Sequence, residues 1–269
     1  MAGGPDGNLL GPLGVRVLDG LGAGGEGAHA ADEHVWVDSQ DQAVGTATKP
    51  PVDLPYWYQN AMPGPAAYCT SGTFPAAFDN DGTLNGSVGT VNFLTSTPYD
   101  CVVDSGGTTV GEIRWTPGNP ASLYINGVVF IDGNISMSNS YKIDYTGLGT
   151  IYASGSIYLG GSLQLCGARN GGSCDWTTGA WDPEQTLLAW VAGTTLELDS
   201  SVQLQGALYA TTDYTQTSSV HEQGPVVTTN LYFQSSAQTR WLPFVHLAPG
   251  MPQRASFGGA TLVPGTWNG

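Results

Sequence analysis

A short strand-like run that returns at a nearly fixed interval, each copy turning on a glycine or polar corner, restricts the fold of this chain more than any other feature. Val128–Met137 and Thr150–Leu159 match position by position as strand, glycine corner, strand. The texture returns at Leu188–Leu198, Gly206–Ala210 and Gly224–Val227. Aligned on their strands, the copies place Phe130, Tyr152, Trp190, Tyr209 and Val227 in equivalent positions, 22, 38, 19 and 18 residues apart. The 38 reads as two steps of 19, with Cys166 and Cys174 in the skipped one. A period of this size is what a β-solenoid needs: each turn lies on the last and inward side chains form a continuous column. About seven turns from Gly111 to Trp241 would give a rod of roughly 34 Å at the usual strand spacing. An antiparallel sandwich also shows short strands at intervals, but without an internal glycine corner at a fixed phase. The expected fold class is therefore all-β, a parallel β-helix (β-solenoid) with an irregular, disulfide-clamped N-terminal region.

Four parts follow from this texture. Residues 1–50 form a glycine-rich segment with short strands, and 51–110 a proline-rich cap. Residues 111–246 form the solenoid and 247–269 an extended arm. Five prolines within 49–65 forbid a long helix there. Leu54–Ala61 can still make one helical turn that buries its aromatics.

Charge narrows the partners. The chain of 269 residues carries a formal charge of −15 with only seven Lys and Arg. Such a chain repels phosphate backbones and anionic headgroups, so no nucleic-acid partner is expected. Charged residues are 11% of the total, and Ser, Thr, Asn, Gln and Gly must cover the surface instead. No run of 18 apolar residues occurs, so no membrane insertion is expected of this chain. If it is exported, its leader or anchor lies outside this sequence.

The cysteines fall as two local pairs, Cys69 with Cys101 and Cys166 with Cys174. An even count in a lysine-poor, glycine-rich chain reads as two disulfides and an oxidising compartment. Chain entropy gives them roughly 3.5 and 2.5 kcal/mol. Free thiols or a metal site are the alternative, but there is no CxxC pair and no histidine at ligand spacing.

The stretches Gly111–Trp115, Ile125–Gly133, Gln205–Ala210 and Gln223–Val227 resemble secreted bacterial β-solenoid proteins associated with type IV pilus loci. Those proteins are distantly similar to the polymer-forming bactofilins. Tyr56-Trp57-Tyr58, Pro63-Gly64-Pro65 and Phe78–Gly82 fit the same pattern. The similarity covers residues 50–255, and its motifs are structural, with no catalytic set to carry over. The resemblance implies a cell-surface or appendage-associated structural role. The N-terminal membrane segment usual in such proteins is not seen here.

Few constellations could carry chemistry. Asp79-Asn80-Asp81-Gly82-Thr83 alternates side-chain oxygens around a glycine turn, which suits calcium, with Asp79, Asn80, Asp81 and Thr83 as ligands. Thr90 stands where a complete calcium loop would place a bidentate Glu, and an ion-free Asx turn is the plainer reading. His221-Glu222 could be an acid–base pair or a solvated corner. Asp132, Asp144, Asp175, Asp182, Glu197, Asp199 and Asp213 are raw material for the paired carboxylates of a glycosidase. Glu197 and Asp199, two apart on one strand, would share a face. Trp176 and Trp181, in a loop after Cys174, are candidates for an exposed recognition surface, although most tryptophans in such a chain serve packing. Threonine pairs raise ice binding, but there is no ladder of Thr-x-Thr.

The function expected is that of an extracellular structural or adhesion protein, non-catalytic and cell-surface or appendage-associated. Its partners would be further copies of itself, as a filament or oligomer, or a cell-surface glycan. The alternative is a carbohydrate-active β-helix acting as polysaccharide lyase, glycoside hydrolase or lectin.

Overall fold

The structure, a computed structural model, describes residues 49–62, 67–76, 82–234, 238–240 and 248–252. Among the described residues one short helix, α1 (Leu54–Asn60), occupies the proline-rich stretch. The Asp53 carboxylate accepts from the Tyr56 amide at 2.9 Å and caps its first turn, where Pro55 sits without a donor to lose. Then β1 (Ala67–Ser71), β2 (Gly89–Val91), β3 (Tyr99–Ser105), β4 (Thr108–Thr116) and β5 (Ala121–Ile131) follow. β1, β3, β4 and β5 pair antiparallel in that order. Cys69 lies directly opposite Cys101 in this meander, and the two are bonded. The stretch from Gly111, expected to open the coils, is part of the meander instead.

From β5 onward the pairing is parallel. β5 bends near Gly127 and serves two sheets: Ala121–Tyr124 pair with β7 (Lys142–Thr146), and Gly127–Ile131 with β8 (Leu148–Ala153). Between them runs β6 (Gly133–Asn139). The chain continues through β9 (Ile157–Gly161), β10 (Gln164–Cys166), a small hairpin of β11 (Arg169–Asn170) and β12 (Ser173–Cys174), then β13 (Leu187–Ala192), β14 (Leu196–Leu198) and β15 (Gln203–Gln205). It ends with β16 (Ala207–Ala210), β17 (Asp213–Gln216), β18 (His221–Gln223), β19 (Val226–Val227), β20 (Asn230–Phe233) and β21 (Gln238–Arg240). Three parallel ladders result. Ladder one is β5-β8-β13-β16-β19, ladder two is β2-β6-β9-β14-β17-β20, and ladder three is β5-β7-β10-β15-β18-β21. The protein is thus mostly β, with parallel strands in curled sheets.

Register corrects the phase read from the sequence. Tyr152 pairs with Val191, not Trp190, so the aligned column is Phe130, Tyr152, Val191, Tyr209 and Val227. A shift of one residue changes the face. This column points outward, and Trp190 joins Val129, Ile151 and Leu208 in the core. Tyr152 and Val191 are also direct neighbours, so the interval of 39 holds one winding and a side excursion, not two windings. The excursion is the β11–β12 hairpin and residues 175–186, tied at its base by the Cys166–Cys174 disulfide.

Burial follows. Ladder one is covered on both faces: every residue of β13 and β16 is buried. Its outer face packs against α1, where Tyr58 meets Phe130 edge-on and Trp57 stacks on Tyr152. Tyr56 of the same turn stays exposed. Ladder two alternates buried and half-buried residues, as a sheet with one solvated face does. Its inward columns are Ile135-Ile157-Leu196-Tyr214 and Met137-Leu159-Leu198-Gln216. At the corner from ladder two to ladder three, three successive layers take a left-handed residue: Gly161, Ser200 and Ser218 have φ of 73°, 63° and 53°.

Candidate functional site

At the corner from ladder one to ladder two the chain turns on Asp132-Gly133, Ser154-Gly155, Gly193-Thr194, Thr211-Thr212 and Thr228-Thr229. The hydroxyls here are turned onto the preceding winding. Thr211 Oγ1 donates to the Ala192 carbonyl and Thr212 Oγ1 to that of Thr194, both at 3.0 Å. Thr229 Oγ1 donates to the Thr211 carbonyl at 2.9 Å and Thr228 Oγ1 to that of Thr212 at 3.1 Å. These threonines are therefore corner fasteners, not a row presented to ice. Lys49 ends the column, donating from Nζ to Thr229 Oγ1 at 2.6 Å and to the Thr211 carbonyl.

Asp132 is the buried acid of this corner. Its Oδ2 accepts from the Asn85 and Gly86 amides, both at 2.9 Å, and its Oδ1 from the Ser154 hydroxyl at 2.7 Å. Burial alone would raise its pKa, but these donors outweigh burial and hold it below the usual carboxylate range. A cleft of about 410 Å³ opens beside it, between Leu54, the Leu84–Gly86 loop and Ser154. Of the four residues singled out for calcium, Asp79, Asn80 and Asp81 lie outside the described residues, and only Thr83 is placed. Among the described residues no three or more His, Cys, Asp or Glu gather closely enough to hold a metal ion.

The other acids are held apart by their own partners. Asp144 pairs with Arg169 at 2.5 Å, and Asp213 accepts from Asn230 at 2.8 Å. Asp175 and Asp182 accept from the backbone two residues on, at Thr177 and Glu184. Glu197 and Asp199 do share the outer face of ladder two. The Thr217 hydroxyl donates to Asp199 Oδ1 and the Tyr158 hydroxyl to Oδ2, which keeps Asp199 ionised to lower pH than usual. Partial burial, then the Asp199 charge, raise Glu197. Asp199 is thus a fastener between Tyr158 and Thr217, and no pair of free facing carboxylates is formed by these seven.

Two sequence-derived sites are corrected. His221 and Glu222 are neighbours on β18, so alternation sends them to opposite faces. His221 is half-buried on the outside, whereas Glu222 is 1% exposed inside the body. They cannot act as a pair. Trp181 is 3% exposed, packs with Leu187, Ala189 and Ala207, and donates its indole N–H to the Thr186 carbonyl at 2.8 Å. It fastens the excursion to the body and is no recognition residue. Trp176 is half-buried and lies against the His221 ring, centroids 5.9 Å apart, with Arg240 donating to its carbonyl at 3.0 Å.

Sequence reasoning missed the glutamines that hold the excursion. Gln205 Oε1 accepts from the Ala168 amide at 2.9 Å, and its Nε2 donates to the Asp175 carbonyl at 2.8 Å and to Gln223 Oε1 at 2.9 Å. Gln203 Oε1 accepts from the Cys174 amide at 3.0 Å. Their signal was Gln203-Leu204-Gln205 with Gln223 one winding later.

The fold and these sites define a mostly β protein of stacked parallel strands whose polar groups chiefly fasten one winding to the next. Among solved structures, the chain is similar to the competence-associated pilin ComZ from Thermus thermophilus. The TM-score is 0.50 and the identity 16%, over 71% of this chain and 37% of that one. At that identity the likeness is one of fold, and the chain spans well under half of the pilin's length. It gives no support to the bactofilin side of the expected resemblance. No protein-family model matches the chain, and no curated protein matches it in sequence.

Proposed function

We propose that this chain is a non-catalytic structural or adhesive module of the cell surface, borne on or beside a type IV pilus-like appendage. Its body is a parallel β-helix. The observation that carries this reading is the order of travel: the chain visits ladders one, two and three in turn and returns one strand further on, from β5 to β21. Such a path builds a stiff body of three faces in which each inner strand of a ladder has neighbours on both sides. The fold likeness to a pilin supports the appendage, and the two disulfides support an oxidising compartment outside the cytoplasm. No helix among the described residues is long and apolar enough to cross a membrane.

The surfaces left for partners are the half-solvated face of ladder two and the Trp176–His221 patch on ladder three. A cell-surface glycan or a second copy of the chain would meet the body there, and calcium at Asp79–Thr83 would be an accessory to either. Immunogold electron microscopy with antibodies to this chain tests the reading. Label along surface filaments or the cell envelope is expected, and label confined to the cytoplasm would refute it. Glycan arrays of the wild type and Trp176→Ala then separate sugar binding from self-association.

A further inference from the structure

Towards the C-terminal end the interior columns change from hydrocarbon to polar. Along ladder three, Ile143, Leu165 and Leu204 give way to Glu222 and then Thr239. Along ladder two, Met137, Leu159 and Leu198 give way to Gln216. Gln216 and Glu222 are 0% and 1% exposed. Neither Glu222 carboxyl oxygen, nor the Gln216 amide nitrogen, nor the Tyr214 hydroxyl has a hydrogen-bond partner. One contact joins the group: the Thr239 hydroxyl, on the exposed last strand, donates to Gln216 Oε1 at 3.0 Å. Each buried orphan of this kind costs about 1–3 kcal/mol, so four together call for an explanation.

We propose that Thr239 and Gln216 are the two halves of a self-formed side-chain ester that joins β21 to β17, with Glu222 moving the protons. Thr239 Oγ1 attacks Gln216 Cδ and forms the ester bond. The Cδ–Nε2 bond breaks and ammonia leaves. One Glu222 oxygen takes the hydroxyl proton while the other hands its own proton to the departing nitrogen, so the carboxyl ends protonated, as it began. Nothing is oxidised or reduced, and no further reactant enters.

The geometry supplies the nucleophile, the amide and the neighbouring acid. The nucleophile already touches the amide at its oxygen, one bond from the carbon it would attack. The leaving amide nitrogen is unengaged. Glu222 is the direct ladder partner of Thr239. Burial pushes its pKa well above the usual carboxylate range; Thr239 lies near enough to ease the charge, although its hydrogen goes to Gln216. A protonated carboxyl with two bare oxygens is both acid and base. Fixed placement of the hydroxyl against a buried amide supplies the rate that an alcohol and an amide lack in solution. The exposed side of Thr239 gives ammonia its exit, and its protonation in bulk draws the step forward.

Intact mass of the full, disulfide-bonded chain reads the result. The wild type should be lighter by one ammonia, and proteolysis should release a branched peptide holding both Gln216 and Thr239. Thr239→Val and Glu222→Gln should each restore the full mass, with circular dichroism confirming that both variants fold. Succinimide formation at Asn-Gly pairs such as Asn126-Gly127 also sheds ammonia, but it gives no branched peptide and survives Thr239→Val. A wild-type chain that keeps its full mass through prolonged incubation at neutral pH overturns the proposal. So does a mass loss that yields no peptide joining Gln216 to Thr239, or a joined peptide that still forms in Glu222→Gln.

Discussion

Ser200 and Ser218 hold the left-handed backbone that Gly161 holds one and two windings earlier. A residue with a Cβ is strained there by about 1–2 kcal/mol, whereas glycine is not. The Ser200 amide donates to Asp199 Oδ1 at 2.6 Å, a bond that glycine would retain, and its hydroxyl bonds the same carboxylate, a contact that glycine would lose. Ser200→Gly should therefore raise stability by about 0.5–1 kcal/mol, the strain relief less the greater freedom of glycine in the unfolded chain. Urea unfolding of the single variant measures it, and a loss of stability would show that the serine hydroxyl matters more than the backbone. Glycines elsewhere are fixed by contact. A Cβ on Gly147 would come within 2.1 Å of the Ile125 carbonyl oxygen, and one on Gly224 within 1.8 Å of that of Gly206.

At the scale of elements, the Cys166–Cys174 bond closes a short excursion rather than a winding. Ladder one runs from β8 straight to β13 without it. Cys166→Ala with Cys174→Ala should cost about 2.5 kcal/mol by chain entropy and leave the parallel ladders intact. Thermal unfolding would fall while the far-ultraviolet dichroism of the folded state stays that of the wild type. The same excursion explains what the sequence hid. Its length is close to one period, so spacing alone cannot tell an inserted loop from an extra winding. That ambiguity put Trp190 on the wrong face. The strand–glycine–strand texture around Phe130 and Tyr152 was legible because both copies turn at the same corner without an insertion. Of the candidate sites, Trp181 was misjudged because a loop tryptophan looks the same in sequence whether it plugs a gap or meets solvent. The separation of His221 from Glu222 was already implied by strand alternation. Asp132 could not be read, since its donors come from Asn85 and Gly86, more than forty residues earlier.

For the whole molecule, two buried acids shifted in opposite directions make stability depend on pH. Burial raises Glu222 well above its ordinary value of 4.5, so the folded state holds a proton that the unfolded state releases. Its contribution is complete below the unfolded value and is lost as pH rises towards the folded one, by about 1.4 kcal/mol per pH unit across that window. Asp132, held low by its amide donors, contributes above 3.8 and loses that contribution as pH falls through its folded value. Glu222→Gln should flatten the decline on the alkaline side and leave the acid limb unchanged. Denaturant midpoints at a series of pH values decide it, and an unchanged alkaline slope would mean that another group titrates there.

The windings of β13 to β19 repeat at 18 residues, with Val191 above Tyr209 and Tyr209 above Val227. Height in this protein is therefore quantised. Duplicating residues 207–224 should give a protein that still folds and is taller by about 4.8 Å, one strand spacing, with both ends unchanged. Lineages needing a longer reach could gain it by copying one tier, and a crystal structure of the duplicated chain would show the added storey in register.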